Sequence, residues 1–121
     1  MSVKKILIVD DSATDRQSLL EKLAKNGYQC VTAVGGTDAI AKSKSEQPDL
    51  ILMDVIMPGT NGYEATRAIT RDEATKNIPV FLCTGKNQET DRLWGLRQGA
   101  RDYLTKPIDF NVLMEKIAAI A

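Results

Sequence analysis

Asp10, Asp11, Asp54, Thr84 and Lys106 each stand where a short apolar run gives out. Lys5-Ile6-Leu7-Ile8-Val9 leads into Asp10-Asp11, and Leu50-Ile51-Leu52-Met53 leads into Asp54. Val80-Phe81-Leu82-Cys83 ends in Thr84, and Asp102-Tyr103-Leu104-Thr105 ends in Lys106-Pro107. Carboxylates bind hard cations or attack electrophilic centres. A hydroxyl donates a hydrogen bond, and an ammonium neutralises an oxyanion. These residue types suit a phosphoryl group or a metal ion. In an open parallel sheet the carboxyl ends of the strands form the rim where ligands bind. Four distant stretches of sequence would then converge on one rim.

Asp10, Asp11 and Asp54 at adjacent strand ends are like charges that repel without a counter-ion. A divalent cation resolves the conflict. Few carboxylates, with room left for water and a phosphate oxygen, favour magnesium over calcium. Asp54 can act as a nucleophile toward phosphorus and form an acyl phosphate, with the metal ion shielding charge. Lys106 would supply a fixed positive charge, Thr84 a hydroxyl donor, and Gly85 open access. Each acid alone has a plainer reading, since acids cap helices and line loops; Asp11 could simply open the first helix. The Lys106-Pro107 bond could be cis, aiming the lysine inward, or an ordinary trans bond at a helix start. Spacing does not choose between them.

Positioning these residues requires alternating strands and helices. A strand near 4–9 precedes a helix near 13–26, opened by the Ser12 and Asp15 capping pattern and closed by Gly27. Leu19, Leu20 and Leu23 give that helix an apolar face. A weakly alternating strand at 28–33 reads as an edge. A helix near 37–46 turns Ala39, Ile40 and Ser43 inward, and Pro48 lies beyond it. The third strand is apolar on both faces, as a central parallel strand is. Met57-Pro58-Gly59 and Asn61-Gly62 mark a loop, followed by a helix near 63–72. Ile78-Pro79 starts the fourth strand, where a proline costs little. A helix near 88–98 carries Trp94 and Gly95. A short strand near 101–105 leads to a last helix with Asp109 as N-cap and Phe110, Leu113, Ile117 and Ile120 as its buried stripe. Five strands alternating with five helices predict an α/β fold with a doubly wound parallel sheet.

The 121 residues suit a single domain, and 43% hydrophobic content argues against disorder. Sixteen basic residues balance sixteen acidic ones, so no electrostatic excess points to nucleic acid or a membrane surface. The absence of histidine removes the usual neutral-pH base and commonest metal ligand, leaving oxygen ligands for any ion. Cys30 and Cys83 read as reduced core thiols. The first apolar run is too short for a signal peptide or membrane span. A cytoplasmic protein is the expectation.

The motifs I-L-I-V-D-D, L-I-L-M-D-V-I-M-P-G-T-N-G-Y, T-G and Y-L-T-K-P-I together resemble the receiver domain of bacterial response regulators, the CheY-like superfamily, over essentially the whole chain. The stretch Q-E-T-D-R-L-W-G-L-R-Q-G-A-R-D-Y-L-T-K-P is most similar to single-domain regulators of type IV pilus twitching motility, the PilH and PilG kind. The resemblance implies a flavodoxin-like sheet of order 2-1-3-4-5. It implies a receiver over 1–121 with no output domain, acting as a monomer. Asp54 would be the phosphoacceptor, charged by a CheA-like sensor histidine kinase. Asp11, Asp54 and the backbone carbonyl of Ile56 would bind Mg2+ directly, with Asp10 acting through water. Lys106 would bind phosphate, and the family usually has a cis bond at Lys106-Pro107. Thr84 and Tyr103 would form the switch pair, Tyr103 turning inward as Thr84 moves to the phosphate.

The resemblance also implies that Ile56 and Lys86 flank the path of the hydrolytic water. A bulky apolar Ile56 cannot orient water, so dephosphorylation should be slow. Beyond its own phosphoryl transfer and slow dephosphorylation, no enzyme activity is expected. Output would be contact with a downstream protein, such as a pilus motor or regulator, or storage of phosphate as a sink. Trp94 reads either as part of the surface around the fourth helix and fifth strand or as a partly buried packing residue. Two other classes share parts of this pattern. A flavodoxin-like FMN protein fits poorly, because the acids of Asp11-Ser12-Ala13-Thr14-Asp15 would repel a bare phosphate. A magnesium-dependent aspartyl phosphatase places its acids as D-x-D, whereas this chain has D-D.

Overall fold

The computed structural model describes residues 3–55, 57, 59–85 and 89–120, the side chains of 89–92 excepted. Its strands are β1 (Lys5–Val9), β2 (Gln29–Ala33), β3 (Leu50–Asp54), β4 (Val80–Thr84) and β5 (Asp102–Thr105). Its helices are α1 (Ala13–Lys25), α2 (Gly36–Glu46), α3 (Gly62–Arg71), α4 (Glu89–Arg97) and α5 (Phe110–Ala119). All strand pairs are parallel, in the order β2-β1-β3-β4-β5. This is the expected doubly wound α/β sheet, with β2 at one edge.

Alternate strand residues face opposite sides of a sheet, and two cores result. Leu7, Val9, Ile51, Met53, Val80 and Leu82 pack with Ala39 of α2 and Ala65 and Ile69 of α3. Ile6, Ile8, Leu50, Leu52, Phe81, Cys83 and Leu104 pack with Leu23 of α1 and Leu113 and Ile117 of α5. β3 and β4 are buried along their whole length, as strands covered on both faces must be. Within the buried stripe expected of α5, Leu113 and Ile117 are fully enclosed, while Phe110 and Ile120 are half-buried at its ends.

The caps explain where the helices start. The Ser12 hydroxyl accepts from the Asp15 amide, and Gly27 follows α1 with a φ of 89°. The Asp109 carboxylate accepts from the amides of Asn111 and Val112. Asn61-Gly62 is more than loop punctuation. Asn61 is the N-cap of α3 in a reciprocal capping box with Glu64, and Gly62 is its first residue. β4 begins at Val80, and the Pro79 carbonyl already accepts from the Ile51 amide at 3.0 Å.

Candidate functional site

Register brings the strand-end residues together. Val9 lies opposite Met53, so Asp10 and Asp54 leave neighbouring strands side by side. Asp54 pairs with Cys83 and Thr84 with Thr105, which places Thr84 and Lys106 one step farther along the same rim. The Lys106 amide donates to the Thr84 carbonyl at 2.6 Å, and Lys106-Pro107 is a cis peptide. Carboxylate oxygens of Asp10, Asp11 and Asp54 all lie within 4.8 Å of one another. Asp10 and Asp54 are buried, whereas Asp11 is exposed.

Lys106 is the counter-charge. Its Nζ lies 3.0 Å from Asp10 Oδ2, 3.1 Å from Asp54 Oδ1 and 3.7 Å from Asp15 Oδ2. Burial raises the Asp54 carboxyl above its usual range. The hydrogen bond from Lys106 offsets part of that rise, and the charge on Asp10 adds to it. Burial works against the Lys106 ammonium, but its hydrogen bonds to Asp10 and Asp54 prevail and hold its pKa above the ordinary lysine value. One ammonium thus faces several carboxylates and stays charged. A carboxylate set that one lysine leaves over-negative, with oxygen atoms converging from two strands, fits a small hard cation.

The turn holding the acids is fixed on several sides. The Asp10 amide donates to the Ala33 carbonyl at 3.2 Å, and Asp10 Oδ1 accepts from the Ser12 amide at 2.9 Å. The Asp10 carbonyl accepts from Arg16 Nη1 at 2.8 Å. After Asp54, the Val55 amide donates to the Cys83 carbonyl and the Gly62 amide to the Val55 carbonyl, each at 3.0 Å. Beside Lys106 a groove of about 430 Å³ opens, lined by Asp10, Asp15, Ser18, Leu19 and Pro107 among others.

Residues 6–118 match the response regulator receiver domain model. The chain belongs to the response regulator receiver domain family. This receiver domain is 52% identical over 116 residues to Protein PilH of Pseudomonas aeruginosa, covering 96% of each chain. It is 41% identical to the phosphate regulon transcriptional regulatory protein PhoB of the same species, covering 97% of this chain and 51% of PhoB. Chemotaxis protein CheY4 of Vibrio cholerae superimposes with a TM-score of 0.91 at 30% identity, covering 99% of this chain and all of that one. The receiver domain of a Pseudomonas aeruginosa sensor histidine kinase, solved with a magnesium ion in its active-site cleft, superimposes with a TM-score of 0.87 at 29% identity, covering 96% and 95% of the two chains. The FMN-protein and aspartyl-phosphatase alternatives give way to this family.

The receiver fold brings Asp10, Asp11, Asp54, Thr84 and Lys106 to one rim, as the strand ends foretold. Ile56, expected to offer its carbonyl, and Lys86 lie outside the described residues. A Cβ on Gly85 would meet nothing within 4 Å among the described residues. Tyr103, expected to pair with Thr84 in the switch, lies in β5 and is buried. Trp94 is 52% exposed, and its ring meets Tyr63 of α3 edge-on, with centroids 6.4 Å apart. That contact points to α3 rather than β5. Two site residues were missed. In the sequence Asp15 reads as a capping residue and as one of the loop acids that repel a bare phosphate, and Arg16 carries no reading. Their sole sequence signal is their place in the first turns of a helix that starts at the rim.

Proposed function

We propose that this receiver domain is a phosphorylation-dependent switch of a two-component system, with Asp54 as the phosphoacceptor. The observation carrying this reading is the buried Asp54 carboxylate, held 3.1 Å from the Lys106 ammonium within the acidic cluster at the strand ends. An Asp54 oxygen attacks the phosphorus of a phosphohistidine on a sensor kinase. The new P–O bond replaces the P–N bond, and the released imidazole takes up a proton. Asp10, Asp11 and Asp54 would hold Mg2+, which when bound supplies charge neutralisation for the phosphoryl oxygens. The ion seen in the sensor-kinase receiver supports this. Lys106 binds a further phosphoryl oxygen.

Thr84 reads the event by turning its hydroxyl to the phosphoryl group. Tyr103 follows by turning its ring into the space that Thr84 vacates, which biases a two-state surface. The high identity to PilH across both chains supports a place in twitching motility, with a CheA-like kinase upstream and a protein target downstream. No described helix is long and apolar enough to cross a membrane, and the setting we propose is the cytoplasm. The test is incubation with acetyl phosphate and Mg2+, followed by intact-mass measurement. Wild type should gain one phosphoryl group and Asp54→Asn none. Equal uptake by the variant at the same site would refute the assignment.

A further inference from the structure

We propose that Arg16 is a positioning residue that sets the direction of Asp11 and so tunes metal affinity. The inference rests on the magnesium reading above. Asp11 differs from the other two acids in how it is held. Asp10 and Asp54 are buried and tied to Lys106. The Asp11 side chain is exposed, and among the described residues its carboxylate makes no hydrogen bond or ion pair. Its place within the 4.8 Å cluster is therefore set by its backbone.

That backbone begins at the peptide joining Asp10 to Asp11. The peptide is planar, so fixing its carbonyl oxygen also fixes the N–Cα direction of Asp11. Arg16 Nη1 donates to this oxygen at 2.8 Å, reaching back from the second turn of the same helix that follows the acids. No other side chain among the described residues bonds that carbonyl. The other anchors of the turn act elsewhere: the Ser12 amide and Lys106 hold the Asp10 carboxylate, and the Ala33 carbonyl holds the Asp10 amide. A guanidinium is suited to the task because it stays charged and its donors form a rigid plane. A partner behind a ligand commonly controls affinity by fixing the ligand's orientation.

The test compares wild type, Arg16→Gln and Arg16→Lys. Magnesium chloride is titrated in by calorimetry, and amide resonances of the metal-free proteins are recorded by NMR. Arg16→Gln should lower magnesium affinity on the order of tenfold. Arg16→Lys, which keeps a charged donor, should recover most of the loss. In metal-free Arg16→Gln the Asp11 amide should shift and exchange faster, while the Asp54 and Lys106 amides stay in place. Unchanged affinity in Arg16→Gln overturns the inference, and so does a loss of affinity with the Asp11 amide unmoved. Failure of wild type to bind magnesium overturns the metal reading and this inference together. Binding by wild type without an Arg16 effect overturns this inference alone.

Discussion

A Cβ on Gly62 would stand 2.2 Å from the carbonyl oxygen of Asp54 and 2.8 Å from the Cα of Val55. The first residue of α3 is thus packed against the backbone that carries Asp54, and the contact is backbone on backbone. Gly62→Ala must displace one or the other. It should cost about 1–3 kcal/mol in urea unfolding and slow phosphoryl uptake from acetyl phosphate. Gly85→Ala, where a Cβ would meet nothing within 4 Å among the described residues, should change stability by no more than about 0.5 kcal/mol. Equal effects at the two glycines would show that close packing at Gly62 is not what holds Asp54.

Stability of the metal-free protein should fall as pH rises above the ordinary carboxylate range. Burial raises the Asp54 pKa, with Lys106 offsetting part of the rise. The folded state therefore keeps this proton to higher pH than the unfolded chain does. Its stabilising share is full below the unfolded value and is lost as pH climbs through the folded one. Lys106→Met removes the offset and should steepen the decline, whereas Asp54→Asn should flatten it. Urea melts of the three proteins from acidic to neutral pH, with chelator present, would reveal either slope.

The two thiols should react very differently. Cys83 is buried and its pKa is pushed up to about 12 by desolvation, while Cys30 is half-buried and raised by the same cause. Iodoacetamide should label Cys30 slowly in the native protein and Cys83 only on unfolding. Between the ordinary thiol value and about 12, the unfolded chain loses the Cys83 proton and the fold retains it. Alkaline pH should therefore lower stability. Rapid native labelling of Cys83, read by peptide mass spectrometry, would contradict its placement.

Phosphorylated protein should outlast a seconds timescale after donor removal. The basis is the apolar Ile56 two residues beyond Asp54, where a polar side chain would be needed to orient water. Phosphate release from purified protein, followed with an inorganic-phosphate sensor, would decide it. Loss within seconds would mean that another group orients the water.

Much of this was legible in the sequence because strand ends are. An apolar run of about five residues that stops at an acid or a hydroxyl marks both an element and its rim position. Asp10, Asp54, Thr84 and Lys106 could therefore be grouped before any coordinates. What could not be read was direction. Lys106 reaches Asp10 across 96 positions of sequence, and nothing local tells which carboxylates a flexible ammonium will find. Arg16 and Asp15 look like ordinary solvated helix residues until α1 is seen to start at the rim. Trp94 lies on a helix with no clear apolar stripe, so its lean toward Tyr63 followed from tertiary packing alone. The close approach of Gly62 to Asp54 likewise belongs to the fold, because a glycine after Asn61 reads equally well as a turn.

The two cores have a consequence for how a message can travel. Thr84 shares strand parity with Leu82, and Tyr103 is in register with Leu82, so both face the side on which Gly95 of α4 rests against Leu82. Leu23, Leu113 and Ile117 lie across the sheet. Leu113→Ala should cost about 2–5 kcal/mol of stability yet leave the phosphorylation-induced change around α4 intact, as amide hydrogen exchange would report. With that outcome the sheet would work as an insulating wall: one half of the molecule serving as a quiet foundation, and only the other half free to speak.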